Sequence, residues 1–485
     1  MDKAESLQFY LPAEYDTYRQ AVFDVIRIFL PRFQWTEENS ADAETSAERI
    51  TIEQNEQTWT LQMGENRSVF AVTGLDENQK RRILKQQVYA LMQQYTGQNA
   101  HPWGIMTGVR PTKIVHRCLD ENQNAEQIGQ MLHDDYKMSD EKTELLLDVT
   151  ARQRAFLLNR EQAADMVSVY LSIPFCPTRC AYCSFPSFCL PKPAFQEEYL
   201  TCLLAECKAV GDALKQQNKQ IQTIYIGGGT PTSLSAHQLD RLLEGVQMYL
   251  GSESLQEFTV EAGRPDTITA EKLQLLHQYK AGRISINPQT FSQKTLDAIG
   301  RRHTVDQLYE VYDMARKTGF DSINMDLITG LTGETEEDFA HSLEQIARLQ
   351  PENLTVHTLA IKRTARLQLD ELSSSQSRVV KAMYSRLNQW LTTQNYVPYY
   401  LYRQKHMIGD QENTGYCLPG KESLYNIQMM EERQTIFGLG VGSTSKYVNT
   451  ADWTLTQNSN PKDLIFYNQR IEEIIAKKLE KISQM

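Results

Sequence analysis

Two rhythms of apolar and polar residues divide the chain near residue 165. Before that point, apolar residues at three- and four-residue spacing predict a helix over Asp16–Phe29 that ends before Pro31. The same spacing predicts a long helix over Glu77–Tyr95. Between them, alternation in Arg49–Gln54, Thr58–Met63 and Ser68–Thr73 predicts a small antiparallel sheet. Residues 1–160 therefore read as an amino-terminal α+β accessory domain. From 165 to 370 short β-rich runs alternate with helical patterns: Val167–Ile173, Thr223–Ile226, Glu257–Glu261, Arg283–Asn287, Ser322–Asp326 and Asn353–Leu359. Strands separated by helices imply a parallel sheet, because parallel neighbours cannot be joined by tight hairpins. Six such units predict an incomplete (β/α)6 barrel, with chemistry gathered at the carboxyl ends of the strands. The polar stretch Glu371–Ser377 and a helix over Val379–Gln394 open a carboxyl-terminal mixed α/β extension, residues 371–485.

At 485 residues the chain exceeds one ordinary domain, and 41% hydrophobic with 23% charged residues is an ordinary globular balance. A net charge of −11 counts against general nucleic-acid binding, which needs a basic face. No run approaches the ~18 apolar residues of a membrane span, and Met1-Asp-Lys-Ala-Glu5 lacks the features of a secretory signal. The expected setting is cytoplasmic. There, eight cysteines with four inside fourteen residues point to metal or redox chemistry rather than disulfides.

That cluster follows the first barrel strand: Val169-Tyr-Leu-Ser-Ile-Pro-Phe-Cys-Pro-Thr-Arg-Cys-Ala-Tyr-Cys183. A 4Fe–4S cluster usually takes four thiolates. Cys176, Cys180 and Cys183 supply three and leave one iron open, the mark of a reactive centre. The alternative is a structural zinc with Cys189 or His101 as fourth ligand. Zinc ligands more often come as two separated pairs, and no second pair is evident. Gly227-Gly-Gly-Thr-Pro231 follows the second strand, where backbone without Cβ atoms can approach a ligand closely. Glu261, Gln289 and Asp326 stand at or just past later strand ends, where polar residues line a barrel mouth.

Cys-x3-Cys-x-aromatic-Cys after a strand resembles the signature of the radical S-adenosylmethionine (SAM) superfamily. The series Tyr170, Cys176, Gly-Gly-Gly-Thr-Pro231, Glu261, Gln289, Arg301 and Asp326-Leu-Ile-Thr-Gly-Leu331 is similar to the oxygen-independent coproporphyrinogen III oxidases over residues 165–365. Gly104-Ile-Met-Thr-Gly-Val-Arg-Pro-Thr-Lys113, Gln411-Glu-Asn-Thr-Gly-Tyr416 and Ser423-Leu-Tyr-Asn-Ile-Gln-Met-Met-Glu-Glu432 resemble the HemZ branch of that family. The resemblance implies a radical SAM barrel holding a 4Fe–4S cluster on Cys176, Cys180 and Cys183. It implies SAM contacts from Tyr170, Tyr182, Gly228, Gly229, Thr230, Glu261, Gln289, Arg301, Asp326 and Ala360. Arg301 suits the methionine carboxylate, since guanidinium pairs with carboxylates bidentately.

The activity implied is SAM-dependent oxidative decarboxylation of two propionates of coproporphyrinogen III to vinyl groups, giving protoporphyrinogen IX. A small electron donor such as flavodoxin or ferredoxin is implied with it. Four substrate carboxylates call for cations. Arg110 and Arg403, set among glycines and aromatics, are the preferred pair, with Lys113, Arg363, Arg366 and Lys405 also available. Two alternatives stay open: a haem-binding chaperone of the HemW type, and a radical SAM enzyme acting on haem by methyl transfer. The HemW haem motif His-Asn-x-x-Tyr-Trp corresponds here to Tyr425-Asn-Ile-Gln-Met-Met430, without the histidine.

Overall fold

A computed structural model of the protein defines residues 8–10, 16–30, 33–36, 47–183, 185, 187–360, 374–404 and 407–485. It consists of two compact units, Met1–Thr150 and Ala151–Met485.

The first unit holds a five-stranded sheet of β1 (Gln8–Tyr10), β2 (Gln34–Thr36), β3 (Ala47–Gln54), β4 (Thr58–Met63) and β5 (Asn66–Ala71), ordered β2-β1-β3-β4-β5. The three longer strands pair antiparallel, as their alternation predicts. Two short strands were not legible in the pattern, and they make the sheet mixed: β1 runs parallel to both β2 and β3. The helix Asp16–Phe29 supplies the crossover that parallel neighbours β1 and β2 require. Trp59, Leu61 and Met63 alternate inward from β4 against Val22 and Ile26 of that helix. Leu84, Val88 and Met92 of the helix Glu77–Thr96 join the same core. This second helix starts at a capping box between Asp76 and Gln79, which satisfies two otherwise orphaned N–H groups.

The second unit is organised by one eleven-stranded sheet. Its strands are β6 (Met166–Ile173), β9 (Gln220–Gly228), β10 (Glu257–Gly263), β11 (Arg283–Ile286), β12 (Ser322–Thr329), β13 (Asn353–Thr358), β14 (Val397–Tyr402), β15 (Asn413–Cys417), β16 (Thr435–Leu439), β17 (Thr444–Val448) and β18 (Leu455–Ser459). Two-residue strands β7 (Phe175–Cys176) and β8 (Phe188–Cys189) pair separately in the cysteine loop. From β6 to β13 the six parallel strands are neighbours in chain order. Right-handed crossovers that always step the same way put every helix on one face, so the other face curls around a lumen. The expected six-unit incomplete barrel is the observed architecture. The carboxyl-terminal extension contributes further strands to this sheet. β15 and β14 add antiparallel beyond β13, while β16 adds parallel beside β6.

The faces of these strands differ in chemistry. Val260, Ile284, Ile323, Met325, Leu327, Leu354 and Val356 are buried in one core with Leu239, Leu308, Phe339 and Leu343 of the surrounding helices. The alternate residues, such as Ser322, Asn324 and Asp326 on β12 and Asn353, Thr355 and His357 on β13, line the lumen. Parallel strands buried on both faces are usually apolar throughout. Here the inner face is polar, so the barrel encloses a binding cavity. At the carboxyl-terminal side the glycines and charged residues end or follow the strands. β10 and β12 run on to Gly263 and Thr329, so Glu261 and Asp326 sit within the strands rather than at their ends.

Candidate active site

The cysteine loop is shaped by its neighbours. Phe188 N donates to Pro174 O at 2.7 Å and Leu190 N to Cys176 O at 3.1 Å, which closes the loop on itself. Ala181 N donates to Ile299 O at 3.0 Å, and the Thr178 hydroxyl to Gly300 O at 3.3 Å, seating it on the segment before Arg301. Gly229 N and Thr230 N donate to Ile173 O and Phe175 O at 2.8 and 2.7 Å. A Cβ on Gly229 would stand 2.6 Å from Phe175 O, and Gly228 has φ +106°. The glycine turn is therefore a steric requirement of bringing the second strand against the cysteine loop. Thr230 Oγ1 also lies 3.5 Å from Cys176 Sγ.

A buried guanidinium, not anticipated from the sequence, stands beside the thiols. Arg264 is bidentate to Asp266 at 2.9 and 2.7 Å, donates to Thr178 Oγ1 at 2.8 Å, and approaches Cys180 Sγ at 3.9 Å. The signal available in the sequence is Gly263-Arg-Pro-Asp266, an arginine just past a strand end with a carboxylate two residues on. It holds the loop and places positive charge where thiolates would gather.

Gln289 has φ +70°, a conformation costly for a residue with a side chain. It is held there because its N–H donates to Asp326 O and its carbonyl accepts from Ile328 N, both at 2.9 Å. Arg301 is buried and donates to Asn287 O at 2.8 Å. Tyr225 OH donates to Glu261 Oε1 at 2.6 Å. Burial foremost, with the Asp326 carboxylate adding to it, pushes Glu261 up to about 7 against the Tyr225 and Gly228 hydrogen bonds. Asp326 accepts from Asn324 Nδ2 at 2.8 Å and faces His357 Nε2 at 3.7 Å. Ala360 bridges to Met407. Burial raises the Tyr182 phenol above its ordinary value, opposed by the charge of Arg301.

All thirteen positions expected to hold the cluster and SAM line one cavity: three cysteines, and the ten residues from Tyr170 to Ala360. Counting its open mouth, it encloses about 1870 Å³ not filled by protein atoms. Cys189 is exposed and lies off this lining. Arg403 is buried 3.2 Å from Asp410, and its neighbour Gln404, not Arg403, lines the cavity. Arg110 belongs to the other compact unit. Lys405, Arg363 and Arg366 lie outside the described residues.

The lining suits both cofactors. Asn287 Oδ1, Gln289 Oε1 and Arg301 Nε are buried without a protein hydrogen-bond partner. Buried polar atoms are rarely left so, and each such group in a cavity wall marks a place for a ligand atom. Two acceptors and a guanidinium match the amino, hydroxyl and carboxylate groups of SAM. Among the described residues, no three His, Cys, Asp or Glu side chains close on one point as ligands of a single ion would. The three thiols line the same cavity, and a cluster would take each on a different iron.

The radical SAM superfamily profile matches residues 170–346, the segment that carries this wall. The oxygen-independent coproporphyrinogen-III oxidase-like protein HemZ of Bacillus subtilis is 44% identical over 399 residues, 81% of this chain and 79% of that one. The chain belongs to the HemZ family of radical SAM enzymes. The haem chaperone HemW of Bacillus subtilis is 31% identical over 57% of this chain and 70% of its own. Among solved structures, coproporphyrinogen III oxidase HemN of Escherichia coli superposes with a TM-score of 0.52 at 23% identity. That match covers 65% of this chain and 72% of HemN, and shows the shared fold. As in the rest of the superfamily, the cofactors are a 4Fe–4S cluster and SAM. No described helix is long and apolar enough to cross a membrane.

Proposed function

We propose that the protein catalyses oxidative decarboxylation of coproporphyrinogen III propionates to vinyl groups, giving protoporphyrinogen IX. The reading includes a small protein electron donor of the flavodoxin or ferredoxin kind, a cytoplasmic setting, residues 165–370 as the catalytic barrel and 371–485 as the substrate-side wall. The observation that carries it is the HemZ likeness, which extends over 81% of the chain and so well beyond the superfamily segment 170–346. A polar lumen opening from the proposed cofactor wall supports it, because the substrate is a carboxylate-rich macrocycle.

Cys176, Cys180 and Cys183 would hold the cluster, and Arg301, Gln289, Asp326 and Glu261 would orient SAM. When bound, the two supply the hydrogen-atom acceptor. Each propionate loses one hydrogen atom from its β-carbon, then carbon dioxide and one electron, which passes to an external one-electron acceptor and leaves the vinyl group. The propionate must be ionised to lose carbon dioxide, and a bound macrocycle that displaces water from the lumen would keep the carbon radical from side reactions.

At the place of the HemW axial histidine stands Tyr425. It is buried and stacked on Tyr225 at 4.4 Å, with no imidazole to offer iron. The deciding experiment is anaerobic reconstitution with iron and sulfide, followed by SAM, reductant and coproporphyrinogen III. Mass spectrometry should find 5′-deoxyadenosine together with mono- and divinyl products. 5′-Deoxyadenosine without vinyl product refutes the substrate; tight haem binding without turnover would favour the chaperone reading. Cys180→Ala should lose iron and activity together.

A further inference from the structure

Beyond β12 the strands β13, β15 and β14 form a wall that carries polar side chains of its own. Tyr402 on β14 is the register partner of Asn413 on β15, which in turn faces β13 beside Val356↔Thr414. His357 of β13, Asn413 and Tyr402 all line the lumen, forming one row across three adjacent strands. His357 Nδ1 and Tyr402 OH are 3.4 Å apart, and His357 Nε2 faces Asp326 at 3.7 Å.

Asn413 is the unusual member. Its Oδ1 accepts the backbone N–H of Thr358 at 2.9 Å. That bond settles which end of the amide is oxygen, since a backbone N–H cannot pair with the amide nitrogen. The Nδ2 end is then directed away from Thr358 N. It is buried, at 1% exposure for the residue, and has no hydrogen-bond partner. Leaving such a donor unmade costs stability, so it marks a site whose partner comes from outside the chain.

Its ligand must bring an acceptor. The strands that carry the row lie at the opposite end of the six-strand series from β6 and the cysteine loop. Of the arginines lining the cavity, Arg264 pairs with Asp266, Arg283 bonds Asn353 and Lys421 O, and Arg301 is the residue proposed for the methionine carboxylate of SAM. With those cations committed, the free donor of this row is available to a carboxylate of the substrate. Resting on the function proposed above, we propose that Asn413, with Tyr402 and His357, forms a subsite for one carboxylate of the porphyrinogen, with Asn413 Nδ2 as its fixed donor. His357 joins this subsite to Asp326, so that the substrate-side wall and the SAM-side carboxylate share one positioning residue.

The test uses coproporphyrin III, the stable oxidised form, titrated into reconstituted full-length protein and followed by fluorescence quenching, alongside its tetramethyl ester. Asn413→Asp keeps the acceptor for Thr358 N and replaces the donor with an oxygen. It should weaken the tetra-acid by about tenfold or more while leaving the ester, the iron content and SAM affinity within about twofold. Should Asn413→Asp fail to fold, Tyr402→Phe carries the test, with a weakening of about threefold expected for the tetra-acid alone. Equal weakening of acid and ester, or a loss of SAM affinity with the acid unaffected, overturns the subsite. Absence of any coproporphyrin binding by the wild-type protein would instead overturn the substrate reading on which it rests.

Discussion

Removing the guanidinium of Arg264 tests how the cysteine loop is held. Arg264 is 3% exposed and bonds Asp266 twice, Thr178 and Cys180. Burial pushes the Asp266 carboxyl up, but the Arg264 hydrogen bonds and charge prevail and hold it below its ordinary value. Arg264→Met leaves that carboxylate without its partner, a loss of about 3–5 kcal/mol for a fully buried pair. The Asp266 side chain keeps 19% of its exposure, so water recovers part of this and about 3 kcal/mol is expected. Asp266→Asn should cost less, about 1–2 kcal/mol, because Thr178 still holds the arginine and the amide oxygen still accepts. The double variant should lose at least about 1 kcal/mol less than the two single losses combined. Amide hydrogen exchange in β9–β11 of the apoprotein reads this within the barrel unit, separately from Met1–Thr150. Iron bound per chain after reconstitution reads the loop itself and should fall in Arg264→Met. Arg264→Lys keeps the charge but not the fork, and should recover only part of either quantity. Wild-type exchange and full iron content in Arg264→Met would refute the reasoning.

Glu261 binds its proton up to about 7 in the folded chain and near 4.5 when unfolded. The folded state therefore holds more protons between those values, and stability falls as pH rises through that window. Water in the lumen tempers the burial, so the loss is on the order of 2 kcal/mol; apoprotein thermal unfolding from pH 5 to 8 should show a slope that Glu261→Gln flattens. Gly229→Ala must push Phe175 O away from 2.6 Å, at about 1–3 kcal/mol, and should lower iron content while leaving the first unit's exchange unchanged. Buried Glu206 accepts from Gly440 N, Asn460, Tyr467 and Lys478 at 2.7–3.0 Å. Lys478→Met should cost about 3–5 kcal/mol, and Glu206→Leu with Lys478→Met should restore much of it; equal losses in single and double variants would refute the buried-pair account.

The elements and much of the cofactor wall were legible because they follow from local spacing. Cys-x3-Cys-x2-Cys is one short loop, and Gly227–Gly229 one turn. The alternation of β12, Ser322-Ile-Asn-Met-Asp-Leu327, shows a polar face even where a buried parallel strand would be apolar. Misjudgements arose where distant partners decide. β1 and β2 are three residues each, too short to carry a period, and exist because each pairs with a strand elsewhere in the chain. Arg403 stands among glycines and aromatics in sequence, yet Asp410 draws its guanidinium to 3.2 Å and Gln404 takes the cavity.

The sequence by itself determined the six-unit barrel and the place of the three thiols after its first strand, since both are encoded in local spacing. Only the tertiary structure decided that β16 packs beside β6, that Arg264 reaches back to Thr178, and that Tyr402, Asn413 and His357 share a row. These depend on the register between strands far apart in the chain. Register is set by the whole buried face at once, and a slip of one residue would turn every lumen side chain into the core.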